Sequence, residues 1–159
     1  MIPSANKRLT FSALLLLPAI SMCLMSCAGN QSGNLGVTAA TLSSCHASPN
    51  CVCSDCDSTK HQIDPFILAV PALQAWQAVH EQITALSRTR IISFSDHYLH
   101  AECRSAVFGF VDDLELHLRP EEGIIAVRSA ARLGYYDFGV NRKRIETLRS
   151  ALRQEGVVR

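Results

Sequence analysis

Four of the seven cysteines in this 159-residue chain, Cys45, Cys51, Cys53 and Cys56, fall within 12 residues, with His46 and His61 beside them. Thiolates and imidazoles at that density can hold Zn or Cu(I). A C-x-x-C pair such as Cys53 with Cys56 can also cycle between dithiol and disulfide. In an oxidising compartment the first expectation is that the cysteines pair. The Ser48-Pro49-Asn50 turn can bring Cys45 and Cys51 to the Cα separation of about 5.5 Å that a bridge needs. Cys53 and Cys56 then form a second bridge, a redox dithiol or half of a metal site completed by His46 and His61. Structural zinc sites space their ligand pairs more widely, and neither a helix nor a βαβ pattern follows Cys56 to lower its pKa. Disulfides therefore rank first, metal second and redox catalysis third.

A second cluster is basic. Arg142, Lys143 and Arg144 fall in the first turn of a helix expected over Asn141–Arg153, where the macrodipole is already positive and acids are normally favoured. Arg128 and Arg132 close the preceding strand, and Tyr135 and Asp137 lie on the connecting loop. Guanidinium groups and free N–H groups at a helix start form a site for a carboxylate or phosphate. The competing reading pairs these arginines internally with Asp112, Asp113, Glu115 and Asp137, and the acids are numerous enough for that reading to be preferred. Asp112 falls by parity on the apolar face of its strand, between Phe110 and Leu114. It calls for a partner from the Arg132–Arg142 segment or from loop N–H groups, or else becomes an acid with a raised pKa, unless a strand end or bulge turns it to solvent. No Ser-His-Asp or Cys-His arrangement has supporting spacing.

Elements to position these residues follow from periodicity. Leu73, Trp76, Val79, Ile83 and Leu86 form one apolar stripe on a helix over Pro71–Ser87, with Pro71 in the first turn. Four runs with strand character follow, Arg90–Ser95, Tyr98–Ser105, Phe108–Leu118 and Gly123–Leu133, joined by short turns at Asp96-His97, Ala106-Val107 and Arg119–Glu122. Leu99, Ala101, Cys103, Phe110, Leu114, Leu116, Leu118, Ile125, Val127 and Ala131 take one face. His100, Glu102, Asp113, Glu115, His117, Arg128 and Arg132 take the other. In that register Glu115 pairs with Arg128 and His100 with Asp113. Cys103 becomes a buried free thiol. Asn141 is the expected N-cap of the last helix, Val140 and Ile145 its hydrophobic staple, and Ile145, Leu148 and Leu152 its buried stripe. The expected architecture is a two-layer α+β domain: a four-stranded antiparallel meander covered on one face by two helices.

The run Phe110-Val111-Asp112-Asp113, then Val127-Arg128-Ser129-Ala130, Gly134-Tyr135, Asp137 and Gly139-Val140-Asn141-Arg142-Lys143-Arg144, resembles the domain-of-unknown-function family numbered 1499. The Cys45-x5-Cys51 spacing around Ser48-Pro49-Asn50 resembles that family's opening. The likeness runs from Cys45 to Leu152; Cys53, Cys56, Cys103 and Ala131 depart from its usual residues. It implies a small envelope or lumenal domain without an established activity.

The N-terminus gives an address. Lys7 and Arg8 precede an apolar run of 15 residues, Phe11 to Met25, too short to span a bilayer and of signal-peptide length. Leu24-Met25-Ser26-Cys27 resembles a bacterial lipobox, which implies cleavage before Cys27 and acylation of its sulfur. Ala28 after the cysteine implies sorting to the outer membrane of a Gram-negative cell, facing the periplasm. Residues 1–26 are thus a signal, 27–44 a lipidated cysteine and a flexible linker spanning roughly 20 to 25 Å, and 45–159 one domain. The signal removes two of the 15 basic residues and none of the 14 acids, leaving 13 against 14. So even a balance argues against nucleic acid as a partner.

The function expected from sequence is a non-enzymatic envelope lipoprotein, anchored to the membrane through its lipid and without a cofactor. It binds an anionic small ligand or an envelope protein around Arg128, Arg132, Tyr135, Asp137, Asn141, Arg142 and Arg144. The alternatives are metal or thiol handling by Cys45–Cys56, and catalysis by Asp112 or Asp113.

Overall fold

In the computed structural model, which describes residues 34–159, the alternation of the central strands decides the architecture. A two-stranded hairpin, β1 (Val37–Thr38) and β2 (Thr41–Leu42), leads into β3 (Cys51–Cys53), β4 (Phe66–Ile67) and the helix α1 (Ala72–Ala85). Then come β5 (Thr89–Phe94), β6 (Tyr98–Arg104), β7 (Val111–Arg119), β8 (Ile124–Ala131) and the helix α2 (Val140–Gln154). The expected meander β5–β6–β7–β8 is present and antiparallel throughout. It is only part of the sheet, which has six strands rather than four, because β3 and β4 both pair along the outer edge of β8. Cys51 lies opposite Ala130, so the cysteine-rich segment is a strand of the sheet and not an appendage to it.

Both helices lie on the apolar face. Trp76, Val79 and Ile83 of α1 and Ile145, Leu148 and Leu152 of α2 form one cluster with Leu99, Ala101, Leu114, Leu116, Ile125 and Val127. Val52, Ile63, Phe66, Val157 and Val158 close its edges. Every member of this core, and both disulfides, lie within 45–159, so this part of the chain carries a complete core of its own. Two expected core residues are elsewhere. Leu73 is 70% exposed, because α1 turns it toward the β5–β6 turn, and Leu86 lies beyond the end of α1 while still packing on the core.

Phe110 is also a correction. The β6–β7 connection is not the tight Ala106-Val107 turn but a six-residue loop, 105–110, closed by Ser105 N–H donating to the Phe110 carbonyl (2.9 Å) and Phe110 N–H to Ser105 Oγ (3.0 Å). Phe110 therefore lies in the loop and is half exposed. At the other end of the sheet, Pro120–Glu122 form a single 3₁₀ turn. Gly123, at φ 65°, supplies the left-handed residue that ends it.

The polar face is buried too. Residues 34–44, expected to belong to a flexible linker, carry the β1–β2 hairpin, which lies over β7 and β8. Leu42 is buried, its N–H donates to Asp55 Oδ2 (2.8 Å), and Gly36 N–H donates to Glu115 Oε1 (2.7 Å). These are long-range polar contacts, which local composition does not reveal. The expected signal and Cys27 lie outside the described residues.

Candidate functional site

On the polar face, Glu115 lies directly opposite Arg128, and the Arg128 Nη1–Glu115 Oε2 pair is 2.6 Å long with both residues buried. Tyr98 OH donates to the other carboxylate oxygen at 2.8 Å. Burial first, and the Glu115 charge second, push the Tyr98 phenol well above its ordinary range. Arg128 Nε is the one buried side-chain polar atom among the described residues with no hydrogen-bond partner.

His100 meets Asp113 (2.8 Å), as expected, but diagonally: it lies opposite Glu115, and Asp113 lies opposite Glu102. Arg132 grips Asp113 with two bonds, Nη2–Oδ1 at 2.7 Å and Nε–Oδ2 at 3.0 Å, and reaches Glu102 at 2.8 Å. Its bonds to Asp113 hold the guanidinium pKa above its usual range. Burial raises the Glu102 carboxyl, but the hydrogen bond and charge of Arg132, with Arg104 and Arg90 beyond, bring it below the ordinary value.

The remaining arginines lie elsewhere. Arg144, from α2, reaches Asp112 on the opposite face of the sheet (2.6 Å), so the buried acid's partner comes from just beyond the expected Arg132–Arg142 segment. Burial still outweighs Arg144 and leaves the Asp112 carboxyl above its usual range. Arg142 donates to the Gln62 carbonyl (2.8 Å). The sheet therefore separates Arg128 and Arg132 from Arg144, and the single cluster expected from sequence is divided among three places.

The start of α2 is built around Asp137 and Asn141. Gly139, at φ 76°, is the N-cap, and Asn141, expected there, is fully buried within the first turn. Asp137 does the capping: Oδ1 accepts Gly139 N–H (3.0 Å) and Oδ2 accepts Asn141 N–H (2.8 Å). That carboxylate resolves the misfit of three cations at a positive helix end, and it occupies the N–H groups an anion would have used.

The Asn141 amide joins four segments. Its Oδ1 accepts Ser129 Oγ–H and Arg144 Nη1–H, both at 2.6 Å, and its Nδ2 donates to the Asn50 carbonyl (3.1 Å) and to Asp137 (2.9 Å). Asn50 in turn donates to the Gly134 carbonyl (2.7 Å) and accepts Ser48 Oγ–H (2.9 Å). Asn50 and Ser129 were not among the expected site residues. The resemblance of both Ser48-Pro49-Asn50 and the Gly134–Arg144 run to one family is the available signal, and this node joins the two stretches.

Cys45–Cys51 and Cys53–Cys56 are both bridged, with Cα separations of 5.7 and 5.5 Å, and Cys103 is a buried free thiol. The sulfurs of Cys45, Cys53 and Cys56 lie within 4.8 Å of one another, but as disulfides they are not thiolate ligands. Neither histidine joins them. Buried His61 meets the Cys51 carbonyl through Nδ1 (2.9 Å), and exposed His46 meets Ser48 Oγ (3.4 Å).

The loops 105–110 and 132–139 lie side by side at one end of the sheet and enclose a cleft of about 330 Å³. Val107, Phe108, Phe110, Leu133, Tyr136, Phe138 and Val140 line it, with Asp112 at its edge. Tyr135, expected to join the arginines, is exposed here and packs edge-on against Tyr136 at 4.8 Å between ring centres.

No curated protein and no solved structure matches the chain. A family model described as a protein of unknown function, DUF1499, matches residues 41–152, a span that holds the bridged cysteines, the Asn50–Asn141 node and the arginine-rich helix start, and the chain belongs to that family.

Proposed function

We propose that the chain is a lipid-anchored protein of the bacterial cell envelope whose folded domain works by binding, at the loop end of the sheet. The observation that carries this reading is the division of labour in the Arg128–Arg144 region. Arg128, Arg132 and Arg144 are spent internally, on Glu115, Asp113 and Asp112, Asp137 caps α2, and what they hold in place is a loop presenting Leu133, Tyr135, Tyr136 and Phe138 to solvent. A rigid charged base beneath exposed aromatic side chains suits recognition of a partner. Arg128, Arg132 and Arg144 then serve as scaffold, and a free-anion site built on them loses its support.

The envelope address is supported by Lys7, Arg8, the Phe11–Met25 run and the Leu24–Cys27 motif, and by two disulfides of the kind that persist outside the cytoplasm. Among the described residues no helix is long and apolar enough to cross a membrane. The test is expression of the full chain with an alkyne-bearing palmitate analogue, followed by fractionation. Wild type takes the label and sediments with outer membranes, while Cys27→Ala loses both. An unlabelled wild-type chain would remove the anchor from this reading.

One observation favours a second reading, catalysis: Asp112, with its raised pKa, borders the loop-end cleft and a neighbouring one of about 300 Å³. Its test is Asp112→Asn, which abolishes any turnover the domain has if this acid performs it.

A further inference from the structure

We propose that the loop end docks onto an anionic lipid bilayer, with the side chains of residues 107–110 and 133–140 entering the headgroup layer and the cations around them meeting lipid phosphates. The proposal rests on the reading of this end as the binding face, but not on acylation of Cys27.

The first ground is Phe138. It is 99% exposed and its backbone φ is 53°, in the left-handed region that a bulky L-residue occupies only at a cost. The fold derives no burial from this ring and would be better served by glycine. Val107 and Phe108 are also more than three-quarters exposed, and with Phe110, Leu133, Tyr136 and Val140 they make one continuous apolar surface around the cleft. Isolated apolar residues on a surface are ordinary, whereas a contiguous group of this kind marks an interface. Phenylalanine and valine at the tip with tyrosines beside them is the side-chain order of a headgroup boundary, where an apolar body and a polar edge are both satisfied.

The second ground is charge. The neighbouring 300 Å³ cleft, which shares Ser105, Ala106, Asp112 and Val140 with the apolar one, is lined by Arg88, Arg104 and Arg144. On the other side a cleft of about 230 Å³ sharing Tyr136 and Phe138 is lined by Lys60 and Arg142. Arg144 is paired with Asp112 and Arg104 with Glu102, and Asp137 is committed to the N-terminal N–H groups of α2, which leaves Arg88, Lys60 and Arg142 as the cations of these clefts that form no ion pair among the described residues. At the far end of the sheet the turns carry Asp96, Glu121 and Glu122, and their one arginine, Arg119, is paired with Asp55 and Glu122. A chain of nearly even charge thus has a cationic end, and the aromatic side chains are on it. Anionic headgroups complement that arrangement. A second copy of the same face would meet like charges across the contact. Six residues lie between Cys27 and Asn34, a reach of at most about 25 Å, so a lipid on Cys27 would hold this end within range of the same membrane.

The experiment uses residues 28–159, which contain the whole core and both disulfides and leave no site for the lipid. Flotation is measured with vesicles of phosphatidylcholine alone and with phosphatidylglycerol added in about a 2:1 ratio. The expected result is binding to the anionic vesicles that weakens with salt. Phe138→Gly with Tyr136→Ser should lower it at least about tenfold without lowering the melting temperature. Arg88→Ala and Lys60→Ala should each lower it about fivefold. No binding to anionic vesicles, or binding indifferent to Phe138→Gly, overturns the proposal. So does a concentration-dependent dimer abolished by Phe138→Gly, which assigns the face to a second copy. A photo-crosslinking residue at position 136 in cells separates this proposal from the reading beneath it. Lipid adducts support both, protein adducts without vesicle binding overturn the bilayer alone, and no adduct overturns both.

Discussion

The Asp137 carboxylate accepts the backbone N–H of Asn141 at 2.8 Å and its side-chain amide at 2.9 Å, so one acid caps α2 and orients the residue that ties the helix to Asn50 and Ser129. Asp137→Ala should cost about 1 to 2 kcal/mol, the loss of an N-cap. It should lower the melting temperature by about 4 °C per kcal/mol. A thermal melt that does not move would show that Gly139 and Asn141 hold the helix start without it.

Removing Arg144 leaves Asp112 buried and unpaired. Arg144→Ala should destabilise the domain by about 3 kcal/mol near neutral pH. The sign with pH follows from the elevated Asp112 pKa, which arises because burial disfavours the charged form. A carboxyl whose folded pKa is raised is least costly below its unfolded pKa, where it is protonated in both states, and its penalty grows as pH rises through the folded value. Urea titrations should therefore show a smaller loss at about pH 4 than at pH 7. An equal loss at both would mean that Arg144 acts only through Ser129 and Asn141.

Glu115 and Arg128 form a buried pair, for which the single and double variants should differ in cost. Glu115→Ala strands the Arg128 charge, Tyr98 OH and Gly36 N–H, and should cost about 3 to 5 kcal/mol. Glu115→Met with Arg128→Met should cost less than the single variant, because both charges leave together and only Tyr98 OH and Gly36 N–H lose their acceptor. Denaturant unfolding of the three chains decides. A double variant no better than the single one would show that packing around the pair, and not stranded charge, carries the cost.

Thiol counting separates the disulfide reading from metal handling. Residues 28–159 should show no fast-reacting thiol when native and one when unfolded, since burial both shields Cys103 and raises its pKa. Extra native thiols with bound Zn or Cu would restore the metal site.

Much of this arrangement is legible from period alone. Strands β6 to β8 and α2 each alternate or repeat long enough for one face to be assigned, and the pairing of Glu115 with Arg128 follows once that register is known. What stays hidden has a common cause. Strands β3 and β4 are three and two residues long, too short for a period, and exist because β8 has an edge to offer. The β1–β2 hairpin looks like linker because its own residues bury little, and its partners, Glu115 and Asp55, are distant in sequence. Phe110 reads as core by parity, yet the loop closes one residue after it, and parity has no meaning beyond the last ladder pair, Arg104 with Val111. The arginine-rich helix start suggests an anion site because its neutralising acid precedes the helix by three residues, on the far side of a left-handed glycine.

The bond from Gly36 to Glu115 also determines where a pull on the N-terminal side would be felt. Tension entering there loads the middle of β7 rather than the end of the chain, and it acts across the sheet instead of along its strands. The hairpin has two residues per strand and supplies none of the apolar core cluster, so peeling it would wet Glu115 and Arg128 while leaving the contacts of the helices and the apolar core in place.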